Sequence, residues 1–122
     1  MARLDGKLWS VLGCMGADGQ PQIQLQCYVA MIDFGLGIQE ALEMPRFLSG
    51  RFGLDEARDT LHVESRLPAV TISQLETLGH VIDHWGPWNE IAGHAHGTLV
   101  NPTFGTLVGG SDPRSNGVAI GY

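Results

Sequence analysis

The chain has 122 residues and a net charge of −6. Its seven basic residues (Arg3, Lys7, Arg46, Arg51, Arg58, Arg66, Arg114) are scattered, which argues against nucleic acid and against a cationic membrane-binding face. The length suits one domain. Hydrophobic residues make up 43% and charged residues only 16%. That charged share is below the usual about 25%, so part of the surface is expected to be covered by other protein. No window reaches the roughly 20 apolar residues needed to cross a bilayer, and residues 1–19 lack the apolar run of a signal peptide.

Lys7 to Cys14 reads as a strand: Leu8, Trp9, Val11 and Leu12 lie together without helix punctuation. It breaks at Gly13 and Gly16 and opens into a helix with Asp18 as expected N-cap and Pro21 in the first turn. Apolar residues from Ile23 to Phe34 cover most of that helix's circumference, so it should be sandwiched, with Gly35 or Gly37 ending it. A short second helix is expected from Ile38 to Glu43, stopping before Pro45. Leu48 to Thr60 is loop-like. Leu61 to Glu64 alternates as a short strand. Pro68 starts a third helix with Val70, Ile72, Leu75 and Leu78 on one face and Gly79 as its C-cap. His80 to Asp83 and Glu90 to Val100 read as strands, the second running through a turn at 101–105 into a return strand at Thr106 to Gly110. The order implies an α+β fold with helices packed on a sheet.

A strand–glycine–helix junction directs free backbone N–H groups and the positive end of a helix at one point, a site for an anion or a developing oxyanion. Gly16-Ala17-Asp18 is the candidate; an ordinary turn is the plain alternative. His94 and His96 project from one strand face and could hold a metal with His84 or His80 as third ligand, or simply form a polar face. Arg114 of Asp112-Pro113-Arg114 could bind a substrate carboxylate, but bracing of the tail is the default, as it is for Arg46 after Pro45. None of Ser10, Ser49, Ser65, Ser73, Ser111 and Ser115 lies in a G-x-S-x-G setting. Cys14 and Cys27, one on the strand and one on the helix, read as small buried hydrophobes.

Six segments occur together and in order: Gly13 to Gln22, Ile32-Asp33-Phe34-Gly35, Ala41 to Phe47, Leu78-Gly79-His80-Val81, Gly109 to Arg114 and Gly121-Tyr122. Over nearly the whole chain they resemble the C-terminal end of the small subunit of γ-glutamyltranspeptidase-like proteins, in the bacterial branch carrying Asp18-Gly19-Gln20-Pro21-Gln22 after the glycine turn. The resemblance implies a partial αββα sandwich of the N-terminal-nucleophile hydrolases: an antiparallel sheet with about three helices, residues 1–122 forming one partial domain. Such enzymes arise from a precursor that cuts itself. The exposed N-terminal threonine attacks a γ-glutamyl amide, forming an acyl-enzyme that water or an amine resolves. The family's paired oxyanion glycines match Gly16 and Ala17, so the second is alanine here, strained if its φ is positive. Met15 stands where the family has proline or threonine.

The resemblance implies neither cofactor nor metal. It implies as partners a small γ-glutamyl substrate, a large subunit and the first part of the small subunit. No threonine here (Thr60, Thr71, Thr77, Thr98, Thr103, Thr106) is followed by histidine, and all lie after the turn. The isolated chain is therefore expected to be inactive and to self-associate through uncovered sheet edges. A cytoplasmic or periplasmic bacterial location is expected. A cephalosporin acylase-like amidase, a non-catalytic anion-binding or oligomerising domain, and a metal protein using His94 and His96 are the alternatives.

Overall fold

The computed structural model describes residues 1–52 and 57–121. Strand β1 (Ala2–Leu4) turns back antiparallel onto β2 (Lys7–Met15). A 3-10 turn at Ala17–Gly19 leads into α1 (Gln20–Ile32), followed by α2 (Ile38–Glu43), β3 (Phe47–Ser49), β4 (Thr60–Glu64), α3 (Ala69–Thr77) and β5 (Val81–Trp85). A second 3-10 turn, Glu90–Ala92, precedes the hairpin of β6 (His94–Val100) and β7 (Leu107–Ser111). One sheet is antiparallel in the order β1-β2-β6-β7; the other has the order β3-β4-β5, with β4 and β5 parallel. The class is α+β, as expected, with three α-helices among the described residues.

Helices α1 and α2 pack against the inner face of the larger sheet. Their core, including Ile23, Cys27, Leu42, Leu12 and Ala95, extends to Leu48 of β3 and Trp85 of β5. Gly97 and Gly110 let α2 approach closely: a Cβ on Gly110 would meet Leu42 Cδ1 at 2.9 Å and one on Gly97 would meet Ile38 Cδ1 at 2.8 Å. A separate cluster of Leu61, Val63 and Ile72 joins the smaller sheet to α3.

Several boundaries differ from expectation, each for a tertiary reason. Leu48 lies in strand β3, not in a loop, because β4 pairs with one edge and α1 supplies a partner on the other. The Gln26 carboxamide donates to Phe47 O (2.8 Å) and accepts from Phe47 N (3.2 Å), and Gln22 does the same at Ser49 (2.8 Å each). Two glutamines one helical turn apart thus stand in for a neighbouring strand. Gly53 of the expected loop and Tyr122 lie outside the described residues.

Strand β4 does not expose one face: all five of its residues are buried, since α3 covers Leu61 and Val63 while His62 and Glu64 point into the other layer. Residues 90–92 form a 3-10 turn rather than the start of a strand, capped by Asn89 Oδ1 accepting from Ile91 N at 2.9 Å. Helix α1 is enclosed by the larger sheet, α2 and β3, but Leu25 and Ile32, with Phe34 just beyond its end, are exposed. In α3, Ile72 is buried but Val70 and Leu78 are exposed. On the larger sheet, Val11, Met15 and Leu107 present an exposed apolar outer face. No helix of the described residues is long and apolar enough to cross a membrane.

Candidate active site

Strand β2 ends at Met15, and Gly16 N–H and Ala17 N–H precede the first hydrogen bond of the turn, Gly19 N to Gly16 O at 2.8 Å. Amides in that position have no partner within the helix. Ala17 has φ 43°, in the left-handed region, so the strain conditional on a positive φ is present. Gly16 is extended, but a Cβ there would meet Ile23 Cδ1 at 2.5 Å. Asp18 is not the N-cap. It is exposed within the 3-10 turn and makes no capping hydrogen bond; Gly19 occupies the N-cap position of α1, with Pro21 in the first turn as expected.

Behind the turn lies a buried ionic network. Gly93 (φ 82°) packs so closely that a Cβ would meet Met15 O at 2.7 Å and clash with Ile23 Cδ1. Arg46, 1% exposed, donates to Ala92 O (3.0 Å) and Gly93 O (2.8 Å) and pairs with Asp112 Oδ2 at 2.6 Å. Asp112 also accepts from Ala95 N at 2.9 Å and from Arg114 N at 3.0 Å. Arg114 grips Glu64 with two parallel bonds, Nε to Oε1 at 2.7 Å and Nη2 to Oε2 at 2.6 Å. It further donates to Leu42 O and Met44 O, the carbonyls that end α2. Glu64 collects Arg46 N, Asn89 N and Arg66 Nη2 as well. The Arg66 guanidinium lies 3.3 Å over the Trp88 ring, a cation–π contact. Arg46 and Arg114 are braces, as expected by default: their guanidinium groups are occupied by Asp112, Glu64 and backbone carbonyls.

Burial alone would push the Glu64 carboxyl up. The Arg114 hydrogen bonds and the backbone amides of Arg46 and Asn89 reverse this and hold it below the usual carboxylate range. Asp112 behaves alike: burial opposes ionisation, and the charge of Arg46 and the amides of Ala95 and Arg114 win. Arg114 is raised, because its carboxylate partners outweigh desolvation.

The histidines do not assemble a metal centre. His94 pairs with Met15 across the ladder and its Nε2 is buried without a hydrogen-bond partner among the described residues. His96 Nδ1 lies 3.2 Å from Ser111 Oγ, and His84 meets Glu76 at 3.5 Å. Among the described residues no three metal-ligating side chains come together. Both cysteines are free, and burial raises both thiols, the state of inert rather than nucleophilic cysteines. The sequence reading missed Glu64, whose only signal was a charged residue in an otherwise apolar-alternating strand. It also missed the Gln22–Gln26 clamp, legible in hindsight as an i, i+4 pair.

A glycine-broken β2–α1 junction between an antiparallel sheet and two helices defines the class of fold, part of an N-terminal-nucleophile hydrolase. The chain superposes with TM-score 0.79 on a cephalosporin acylase from Bacillus halodurans, at 29% identity, covering 92% of this chain and 20% of that one. It superposes with TM-score 0.78 on a γ-glutamyltranspeptidase of Helicobacter pylori, at 27% identity, covering 93% and 58%. The family model described as Gamma-glutamyltranspeptidase matches residues 1–122, and the chain belongs to that family. It is 40% identical to the oxamate amidohydrolase proenzyme of Klebsiella pneumoniae over 99% of this chain and 22% of that protein. It is 36% identical to a glutathione hydrolase-like proenzyme of Bacillus subtilis over 95% and 22%. The chain thus spans about a fifth of the length of these curated relatives.

Proposed function

We propose that the chain supplies the oxyanion end of an amide-cleaving acyl-transfer site, as the C-terminal part of a γ-glutamyl hydrolase or transferase. The observation that carries this is the pair of amides at Gly16 and Ala17, which precede the first hydrogen bond of a turn braced from behind by Gly93 and Arg46. When a nucleophile attacks an amide carbonyl, the oxygen gains a full charge. Preorganised N–H donors stabilise that charge more than the ground-state carbonyl, each contributing about 3–4 kcal/mol. The family's N-terminal threonine, activated by its own α-amino group, would be the nucleophile. The chain's own threonines are elsewhere: Thr60 is buried in β4, Thr71 and Thr77 are on α3, and Thr98 is on β6. The isolated chain is inactive on this reading, and hydrolysis of a γ-glutamyl anilide by the purified chain would sink it.

A second reading has a specific observation behind it, the 40% identity with a protein named for oxamate hydrolysis. One chimera tests both. The matching C-terminal fifth of the Klebsiella relative is replaced by this chain, and the product is assayed with oxamate and with a γ-glutamyl anilide. Self-cleavage followed by turnover of either substrate supports the acyl-transfer reading, and the preferred substrate divides the two donors. A chimera that folds and cleaves itself yet turns over neither overturns both.

A further inference from the structure

Beyond β7 the chain returns over the outer face of the larger sheet, and Gly117 is seated there on β6 and β7. A Cβ on Gly117 would meet Ser111 Oγ at 2.6 Å, His96 Cε1 at 2.7 Å and His96 Nδ1 at 3.4 Å. His96 and Ser111 face each other across the ladder, with Nδ1 and Oγ 3.2 Å apart. The Gly117 nitrogen is bonded to the same α-carbon, so its N–H lies within direct or one-water reach of this imidazole–hydroxyl pair.

Asn116 directly precedes Gly117. It is exposed, and its carboxamide makes no hydrogen bond among the described residues. The Gly117 N–H has no acceptor among them either. A side-chain carbonyl carbon and a free backbone nitrogen are thus adjacent, and glycine places no Cβ in the way of their approach. The chain's other two asparagines are held. Asn89 Oδ1 accepts from Ile91 N at 2.9 Å. Asn101 Oδ1 accepts from Thr103 N and Phe104 N, and Pro102 after it has no N–H. Asp18-Gly19 has the same spacing, but Gly19 N is committed to Gly16 O at 2.8 Å.

We propose that Asn116-Gly117 is a self-modification site, at which the folded chain deamidates its own asparagine with His96 and Ser111 moving the proton. The Gly117 nitrogen bonds to Asn116 Cγ while its proton passes to Ser111 Oγ and the hydroxyl proton to His96 Nδ1. The Cγ–Nδ2 bond breaks with its electron pair on nitrogen, which takes the proton back from His96 and departs as ammonia. Water opens the resulting succinimide at either ring carbonyl, giving aspartate or isoaspartate. Both products add a carboxylate beside His96. In isoaspartate the backbone also runs through Cβ and is one carbon longer. That lengthening falls just before Gly117 and before Ala119, whose Cβ lies 3.0 Å from the position of a Cβ on Gly109.

The test is incubation of the 122-residue chain at neutral pH, with ammonia release measured and the site located by peptide-mapping mass spectrometry. Conversion at residue 116 is expected, with Asn89 and Asn101 intact. The folded chain should react about tenfold faster than the same chain unfolded in urea, below the 10²–10⁴-fold of a base fixed in an enzyme site because His96 is exposed. His96→Gln and Ser111→Ala, each checked for native circular dichroism, should lower the folded rate towards that of the unfolded chain. Isomerisation at Asp5-Gly6 or Asp18-Gly19 releases no ammonia and leaves the mass unchanged, so it is not mistaken for this reaction. A folded chain that reacts no faster than the unfolded one, or a natively folded His96→Gln with an unchanged rate, would overturn the proposal.

Discussion

Glu64→Gln removes one negative charge from a group that is 0% exposed and leaves its shape intact. The carboxylate accepts both bonds from Arg114, one from Arg66 and two backbone amides, at 2.6–3.1 Å. With the carboxamide in place, Arg46 and Arg114 retain only Asp112 among the network's carboxylates, and Arg66 loses the Glu64 charge. The new NH₂ group must also point at donors that it cannot accept from. Breaking a buried pair by removing one partner costs about 3–5 kcal/mol, since the other charge stays buried. Unfolding entropy of about 2 cal/mol/K per residue over 122 residues makes 1 kcal/mol worth about 4 °C in midpoint, so the fall should be about 12–20 °C. Differential scanning calorimetry of the two proteins, with circular dichroism to confirm the native fold before heating, measures this. Glu76→Gln is the control: its partner His84 is exposed and 3.5 Å away, so the midpoint should move by less than about 2 °C. A fall of under 4 °C for Glu64→Gln would refute the assignment of a charged, fully partnered carboxylate to this position.

Three further outcomes follow from the same geometry. Glu64 and Asp112 both titrate below their ordinary values when folded, so the unfolded chain binds more protons as the pH falls through the carboxylate range. Their stabilisation is complete above the unfolded pKa values of about 4 and is lost progressively below them; urea midpoints should be flat from pH 7 to 5.5 and drop steeply below 4.5. Gly93→Ala places a Cβ against Met15 O at 2.7 Å in a backbone of φ 82°, at a cost of about 1–3 kcal/mol, read as a lower urea midpoint with unchanged slope. At Ala17, glycine relieves the left-handed strain at the expense of unfolded-state entropy, for a net change of under about 1 kcal/mol. Valine at the same position is strongly disfavoured by its β-branch and should lower the midpoint more than valine at Ala69, at the start of α3.

What could be read from the chain was what local chemistry decides. Helix α2 starts and stops where Gly37 and Pro45 require, and the hairpin turn at 101–105 follows from Asn101, whose Oδ1 accepts from Thr103 N and Phe104 N. Strand β3 was not legible, because its three residues are held by pairing with β4 on one edge and by glutamine side chains on α1 on the other, not by a pattern of their own. The alternation of Leu61 and Val63 with His62 and Glu64 reports a change of face, not exposure. Here the second face meets Trp85, Arg114 and Arg46 in place of water. In the candidate site, the strand-to-helix turn at Gly16 and Ala17 was legible from glycine spacing. The left-handed φ of Ala17 required coordinates.

The distribution of buried charge has a consequence for the turn. An apolar core of the same volume would tolerate sliding of one layer past another, since dispersion contacts are non-directional. The bonds of Arg46 to Ala92 O and Gly93 O, and of Arg114 to Leu42 O and Met44 O, have fixed directions. They tie the end of α2, the start of β6 and the C-terminal Asp112–Arg114 segment to one frame. Gly93 then transmits that frame to Met15 and Ile23, the residues flanking Gly16 and Ala17. Two amides can stabilise an oxyanion strongly only if they are already in position before charge develops. A left-handed alanine holds such a position only when its surroundings over-determine it. The network is therefore expected to matter more for the placement of Gly16 and Ala17 than its distance from them along the chain suggests. Amide hydrogen exchange separates this from mere global stability. In Glu64→Gln under native conditions, exchange at Gly19, whose N–H closes the turn onto Gly16 O, should accelerate by a larger factor than exchange within α3. An equal acceleration at both places would show that the network stabilises the fold as a whole and does not hold the turn.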